Sequence, residues 1–403
     1  MEEYQMLRNI ADDLFYLGVD DTKTDLFESA YPIPRGVTYN SYLLLDEKTA
    51  LFDTVDEREG EAFFHHLNEA LGGRPLDYVV VHHMEPDHSG TLAQLLKAHP
   101  ETTAVMTKKA AVMFGQFFDL DISSRLMEVK EGTELSLGRH ELVFTLAPMV
   151  HWPEVALSFD KTAGWLFAAD AFGTFGALHG KLFADEVSFE EDWLPDARRY
   201  YTNIVGKYGT PVQNVLKKAT KLPITMILPL HGPVWRENLS WFIGKYDQWS
   251  RYQAEDNEAA IFAGSVYGHT LQAAKKLAKA LGARGVAARV YDAAREDMSF
   301  LVAEAFRAKV LVFASATYNN GIFTPMEHLL MDLKAHDLQN RPFALMENGT
   351  WAPNSGKLML EILSGLKNCP QLGATLTMKS SLQENQAEQV DALAEEIRKA
   401  MEA

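Results

Sequence analysis

Residues 82–88, His82-His83-Met84-Glu85-Pro86-Asp87-His88, hold the densest potential chemistry in this sequence. From His83 the pattern is H-x-E-x-D-H, placing four metal-ligating side chains within six residues directly after the apolar run Tyr78–Val81. Imidazoles and carboxylates crowded into one turn repel or desolvate each other unless a cation lies among them. Three more candidates end apolar segments: His151 after Ala147-Pro148-Met149-Val150, Asp170 after Trp165–Ala169, and His231 after Ile224–Leu230. A single strand-end residue of this kind is more often satisfied by backbone hydrogen bonds than by a metal. With the first cluster, however, they make four histidines and three carboxylates. That is too many for one tetrahedral ion and suits two ions sharing a bridging carboxylate. His82 should face the opposite side from the set, because successive strand residues alternate. His179 lies in the loop AFGTFGALHG, and His65, His66, His99 and His140 read as surface or structural residues.

A second chemistry is spelled after residue 255. Ser265-Val266-Tyr267-Gly268-His269-Thr270 separates the strand Ala260–Ala263 from an amphipathic helix with Leu271, Ala274, Leu277 and Leu281 on one face. Hydroxyls and successive N–H groups at a helix start form a phosphate nest. No Lys follows in the G-x-x-x-x-G-K-[ST] spacing, and no G-x-G-x-x-G is present, which disfavours a nucleotide-triphosphate or dinucleotide loop. The strand Val310–Ala314 runs into Ser315-Ala316-Thr317-Tyr318-Asn319-Asn320-Gly321. The strand Pro342–Met346 runs into Glu347-Asn348-Gly349-Thr350-Trp351-Ala352-Pro353. Polar loops at the carboxyl ends of three parallel strands are where doubly wound sheets bind ligands. Tyr318 and Trp351 could flank a planar ring there, or simply cover the sheet edge.

These residues must be positioned by two differently written halves. The first is a series of short strands: Ser41–Leu45 and Thr49–Val55 as a hairpin around Asp46-Glu47-Lys48, then Tyr78–Val81, Glu141–Leu146, Val155–Phe159 and Gly164–Ala169. A helix at Pro211–Leu222 leads into Ile224–Leu230. Many short strands with few helices suggest a layered α/β sandwich with functional residues at strand ends. After the polar stretch Trp249–Asn257 the text alternates apolar strands with helices, which predicts a parallel, doubly wound sheet. We place the domains at 1–254 and 255–403. The 403 residues suit two domains. The net charge of −17 is concentrated in residues 1–250, which carry −15, against −2 in 251–403. Such a surface disfavours nucleic acid and anionic membranes, both bound through Lys and Arg. The lone Cys369 excludes an internal disulfide and any four-cysteine metal site. The acidic start MEEYQMLRNIADDLFYL is no signal peptide, and no run approaches a bilayer span, so a cytoplasmic location without membrane partners is expected.

H-x-[HE]-x-D-H followed by His, Asp and His at strand ends resembles the metallo-β-lactamase fold. Hydrolases of that fold usually carry His at the third motif position and bind zinc, whereas Glu85 adds charge and a hard oxygen, which suits iron. With the HWPE segment, the pattern resembles the flavodiiron proteins, or A-type flavoproteins. The resemblance implies an αββα sandwich followed by a flavodoxin-like domain, with two Fe and FMN as cofactors. It assigns His83, Glu85 and His151 to one iron, Asp87, His88 and His231 to the other, and Asp170 as the bridge. The second half resembles a short-chain flavodoxin, with 265–270 on the FMN phosphate. Thr317, Tyr318, Asn319, Asn320 and Gly321, with Asn348, Gly349, Thr350 and Trp351, then surround the isoalloxazine. The third loop departs from the commoner G-S-x-G-W-S-G-G pattern. The implied activity is reduction of O2 to water, of NO to N2O, or both. Head-to-tail homodimers or dimers of these would be fed by a separate donor, rubredoxin or reduced coenzyme F420. The chain ends soon after the second domain and lacks the cysteines for a fused rubredoxin. The competing reading is a dizinc hydrolase with a fused flavodoxin.

Overall fold

A computed structural model describes residues 8–402; residues 1–7, at the start of the acidic N-terminal segment, lie outside it. The chain divides into two compact units. One comprises the chain up to Tyr201 together with Thr210–Asp247, and the other Thr202–Gly209 with Gln248 onward. Among the described residues no helix is long and apolar enough to cross a membrane.

The first unit contains two sheets. One has seven strands in the order Arg8–Asn9, Leu14–Tyr16, Tyr42–Leu45, Thr49–Phe52, Tyr78–Val81, Thr103–Thr107, Leu126–Val129. The hairpin expected around residues 46–48 is present, with Tyr42–Leu45 antiparallel to Thr49–Phe52. From Thr49–Phe52 onward the strands are parallel. Parallel strands need crossovers, and the helices Gly60–Leu71 and Leu92–Ala98 lie in two of them. Tyr78–Val81 is nearly all apolar because it is central in its sheet and covered on both faces. The second sheet runs Glu134–Ser136, Glu141–Leu146, Ala156–Asp160, Trp165–Phe167, Met226–Leu228. The two sheets meet through aromatic rings. Phe52 of the first stacks on Phe167 of the second at 3.7 Å between centroids, and Tyr42 meets the same ring edge-on. The stretch Phe189–Tyr200 begins with a π turn before becoming α-helical, a pattern the sequence periodicity does not reveal.

The second unit is built on five parallel strands in the order Ala288–Asp292, Asp256–Gly264, Ala308–Tyr318, Phe343–Asn348, Leu376–Met378. Alternation within Asp256–Gly264 sorts the core. Ala260 and Phe262 join the helices Met298–Arg307, Thr324–Ala335 and Ser355–Leu363 on one face. Ala259, Ile261 and Ala263 join His269–Gly282 and Ala387–Glu402 on the other. In the helix His269–Gly282 the buried stripe is Thr270, Ala273, Ala274, Leu277 and Leu281, with Leu271 only half-buried at its edge. The stretch read as a loop from Ser315 is strand as far as Tyr318. It turns at Asn319 and Asn320, both at positive φ, and pairs back through Gly321–Ile322. Paired Asn residues with positive φ are what a tight hairpin requires.

Candidate functional site

The ligand-rich loop is pinned from several sides. Asp53, buried and at φ +54°, accepts the backbone N–H of His82 at 2.7 Å and of His83 at 3.3 Å through one oxygen. Its other oxygen meets His82 Nδ1 at 2.6 Å, and His82 Nε2 reaches Ser158 Oγ at 2.8 Å. His82 is therefore committed to the sheet interface, stacked beside Phe52 and Phe167. Pro86 opens a one-turn helix through Ser89, whose hydroxyl donates to the carbonyls of Met84 and Glu85, while Thr54 Oγ1 donates to His88 O.

Two sets of donor atoms result: His83, Glu85, His151 and Asp170 in one, Asp87, His88 and His231 in the other, all buried or nearly so. In the first, His83 Nε2 is 3.1 Å from Glu85 Oε2 and 3.4 Å from His151 Nε2. His151 Nε2 lies 3.0 Å from both Glu85 Oε2 and Asp170 Oδ2. In the second, His88 Nε2 is 3.1 Å from His231 Nε2 and 3.4 Å from Asp87 Oδ2. Asp170 reaches both sets: Oδ2 is 3.3 Å from His83 Nε2, and Oδ1 is 3.0 Å from His88 Nε2.

Backbone and carboxylate partners fix the ring orientations. His83 Nδ1 donates to Glu154 Oε1 at 2.8 Å, and His231 Nδ1 donates to Thr38 O at 2.6 Å, which leaves both Nε2 atoms aimed inward with lone pairs. Lone pairs converging at these distances need a proton or a cation between them. Metal bonds of about 2.0–2.2 Å place neighbouring ligand atoms about 3.0–3.6 Å apart, which matches the spacings here. Both Asp87 oxygens and Asp170 Oδ1 are buried without a hydrogen-bond partner. Burial disfavours charge on the imidazoles, but Asp170 and Glu85 outweigh it, raising His83 and lifting His151 to about 9. Glu85 and Asp170 are held low by the same histidines against the opposing effect of burial. Two cations can replace those protons and satisfy the orphaned oxygens, so the donor set fits a two-metal centre.

A cavity of about 330 Å³ reaches this centre, with Glu28, Tyr39 and Arg58 lining it beside Glu85 and Asp87. Desolvation and the neighbouring Glu85 carboxylate lift the Glu28 carboxyl to about 8. Sequence reading missed Asp53, Glu154 and Glu28. Only the HWPE tetrapeptide hinted at Glu154, which also accepts Met84 N at 3.0 Å. His140 is structural as expected, with Nδ1 on Asp160 at 2.6 Å. His179 lies in a turn whose backbone N–H donates to Asp20.

The second unit has a cavity of about 590 Å³ at the carboxyl ends of its strands. Of the positions expected there, Ser265, Val266, Tyr267, His269, Thr270, Thr317, Tyr318, Asn319, Asn320, Asn348, Gly349, Thr350 and Trp351 line it. Gly268 and Gly321 do not: Gly268, at φ +90°, caps the helix, and Gly321 pairs with Tyr318. Ala316, Ala352 and Ser380 line it unexpectedly. Asn348 Nδ2 donates to Thr270 Oγ1 at 3.3 Å and Ser380 O at 3.0 Å, tying the loops together. Thr317 Oγ1 accepts the N–H groups of Asn354 and Ser355. Of the two rings expected to flank a ligand, Trp351 is 88% exposed and free to do so, while Tyr318 is 46% exposed and meets Phe323 edge-on; Tyr267, 89% exposed, is a further ring on the cavity wall. Ser265 Oγ and Asn348 Oδ1 are buried without partners, as a phosphorylated, hydrogen-bonding ring ligand such as FMN would require.

Comparison with known proteins agrees with the two-part architecture. A family model described as ODP family beta lactamase matches residues 37–232, and a flavodoxin model matches residues 261–366. The nitric oxide reductase of Moorella thermoacetica is 30% identical over 362 residues, covering 89% of this chain and 90% of that protein. The chain belongs to the flavodiiron protein family. It is accordingly an oxidoreductase with a metallo-β-lactamase-like unit followed by a flavodoxin-like unit. The rubredoxin oxygen:oxidoreductase of Desulfovibrio gigas superposes with a TM-score of 0.93 at 26% identity, covering 98% of this chain and 99% of that one. Anaerobic nitric oxide reductase flavorubredoxin from Vibrio vulnificus is 30% identical over 334 residues, 81% of this chain. This flavodiiron chain spans about two thirds, 67%, of that protein's length.

Proposed function

We propose that this flavodiiron protein takes electrons through FMN to a diiron centre and reduces O2 to water, NO to N2O, or both. The observation that carries the reading is the pair of donor sets joined by Asp170, with a carboxylate, Glu85, where a zinc hydrolase would present a third-position imidazole. We assign His83, Glu85 and His151 to one iron, Asp87, His88 and His231 to the other, and Asp170 to the bridge. Adjacent ferrous ions supply electrons and Lewis acidity, and FMN converts between two-electron and one-electron donors.

The protein's own contribution is placement. Glu154 and Thr38 hold the His83 and His231 rings with Nε2 inward. Asp53 holds the loop that carries four of the ligands. The cavity beside Glu28 gives a small molecule access while the rest of the centre is buried. The relatives named nitric oxide reductase and rubredoxin oxygen:oxidoreductase support the two substrates. A separate donor, rubredoxin or reduced F420, would feed the flavin. The working assembly would be a cytoplasmic head-to-tail homodimer, or a dimer of such dimers.

The test is iron, zinc and FMN content per chain in protein purified without added metal, followed by anaerobic NO uptake and aerobic O2 uptake with the flavin reduced. Iron with FMN and uptake of either gas is expected. Zinc in place of iron, with no gas uptake, would overturn the reading in favour of a hydrolase.

A further inference from the structure

A buried metal centre needs an entry path. The side chains of His83, His88, His231 and Asp170 are at most 1% exposed, against 11% each for Glu85 and Asp87. Those two carboxylates, one from each donor set, both lie on the wall of the 330 Å³ cavity. Asp87 is more than nine-tenths buried there, with neither oxygen hydrogen-bonded. An ion that reaches this wall therefore meets one donor of each set.

Glu28 lines the same cavity. It is exposed to solvent, and its carboxyl group is within hydrogen-bonding reach of Glu85, so it touches water and a donor at once. Glu28 and Ser29, at φ +49° and +56°, make a turn closed by the Ala30 N–H donating to Phe27 O at 3.0 Å. Neither is glycine, so the conformation is costly and must be imposed by its surroundings. Phe27 imposes it: its buried ring meets the His231 ring edge-on at 5.3 Å and the Phe175 ring at 5.4 Å. The turn is thereby fixed beside the donor sets.

The lining carries four carboxyl groups, Glu28, Asp56, Glu85 and Asp87, against one guanidinium, Arg58. Arg58 is already committed. Its Nε and Nη2 each lie 2.8 Å from an Asp56 oxygen, and Nη1 donates to Thr24 Oγ1 at 2.7 Å. One proton shared between Glu28 and Glu85 still leaves the lining negative. O2 and NO are uncharged and gain nothing from such a field. A cation gains a great deal, because a cleft lined by one sign of charge raises the arrival rate of the opposite ion by about 10–1,000-fold.

We propose that this cavity is the loading route for divalent iron, with Glu28 as the transit ligand that takes the ion from solvent and passes it to Glu85 and Asp87. The inference rests on the two-metal reading above. Carboxylate oxygens are hard donors suited to replacing the waters of an arriving ion, and the imidazoles lie deeper. A group that serves only the passage lowers the barrier in both directions and leaves the equilibrium content unchanged.

The test uses full-length protein stripped of metal with a chelator and mixed anaerobically with ferrous ion alone. Samples are stopped with fresh chelator at timed intervals, desalted and analysed for iron. Wild type should load about tenfold faster than Glu28→Gln, with equal final iron and FMN contents. Release of iron into excess chelator should slow by the same factor in the variant. Glu101→Gln, the same charge change at an exposed position outside the cavity lining, should load like wild type. Equal loading by wild type and Glu28→Gln, or equal slowing by Glu101→Gln, would overturn the proposal. So would a lower final iron content with faster release in Glu28→Gln, which marks an ordinary ligand. All three results leave the two-metal reading intact, whereas failure of wild type to retain iron would overturn that reading and this one together.

Discussion

Asp53 offers the sharpest test of how the ligand loop is held. Replacing it with Ala strands three buried donors, the N–H groups of His82 and His83 and the His82 Nδ1–H. Each unmet donor costs about 1–3 kcal/mol. A methyl side chain at φ +54° adds about 1–2 kcal/mol that Asp and Asn largely escape. Together these come to about 4–11 kcal/mol, a large share of a domain's stability. Asp53→Asn behaves differently. Its carbonyl oxygen can take both backbone N–H groups while its amide donates to His82 Nδ1, provided His82 moves its proton to Nε2 and donates to Ser158 Oγ. The cost is then only the exchange of a charged for a neutral acceptor, about 1–2 kcal/mol. Because that rescue runs through Ser158, Asp53→Asn and Ser158→Ala should combine with a penalty beyond their sum, of at least about 0.5 kcal/mol. Urea unfolding of metal-stripped protein, followed by tryptophan fluorescence, reads the right unit, since five of the seven tryptophans lie in it. Equal losses for the Ala and Asn variants, or strict additivity with Ser158→Ala, would refute the tautomer argument.

Asp170→Asn should lower metal affinity by at least about 10–100-fold and halve the iron retained after desalting, with FMN content unchanged; metal and flavin analysis of one preparation checks both. Gly232→Ala should destabilise the first unit by about 2–5 kcal/mol and reduce iron retention. The new Cβ would lie 2.2 Å from Thr174 Cγ2, at φ +75°, beside the proposed ligand His231. Asp77 is pushed up by burial but held lower overall by hydrogen bonds from Lys48 and Thr49. Its contribution to stability is therefore present above the ordinary aspartate value of 3.8 and lost as pH falls through the lowered one. Asp77→Asn should lower stability at pH 7 and flatten the acid limb of a stability–pH profile, the two curves converging in acid.

The donor cluster at 83–88 was legible because its chemistry is local: four candidate ligands in six residues leave few alternatives to a metal. His151, Asp170 and His231 were legible only beside that cluster, since each alone is an ordinary strand end. Their supports were not. Glu154 meets His83 across 71 positions of sequence, and Asp53 sits in FDTV with nothing local to announce a left-handed backbone. In the second unit, strand–helix alternation announced the parallel sheet, and the loops followed from it. Ser380 escaped because it joins the cavity through a bond to Asn348 that tertiary folding alone creates. The many short strands before residue 40 are two or three residues long, too brief for any periodicity to register.

The seven donor groups also bear on how the chain becomes, and stays, folded. Four follow a strand of the seven-stranded sheet, and three follow segments of the five-stranded one. With a single cysteine, no disulfide can tie those sheets together. Ions held between them would act as that tie, closing a loop of roughly 150 residues; a covalent link closing about 100 residues is worth about 4.7 kcal/mol in chain entropy. Iron supply then becomes a folding variable as well as a catalytic one. A metal-starved chain should open between its sheets more often, and proteolysis would remove it first.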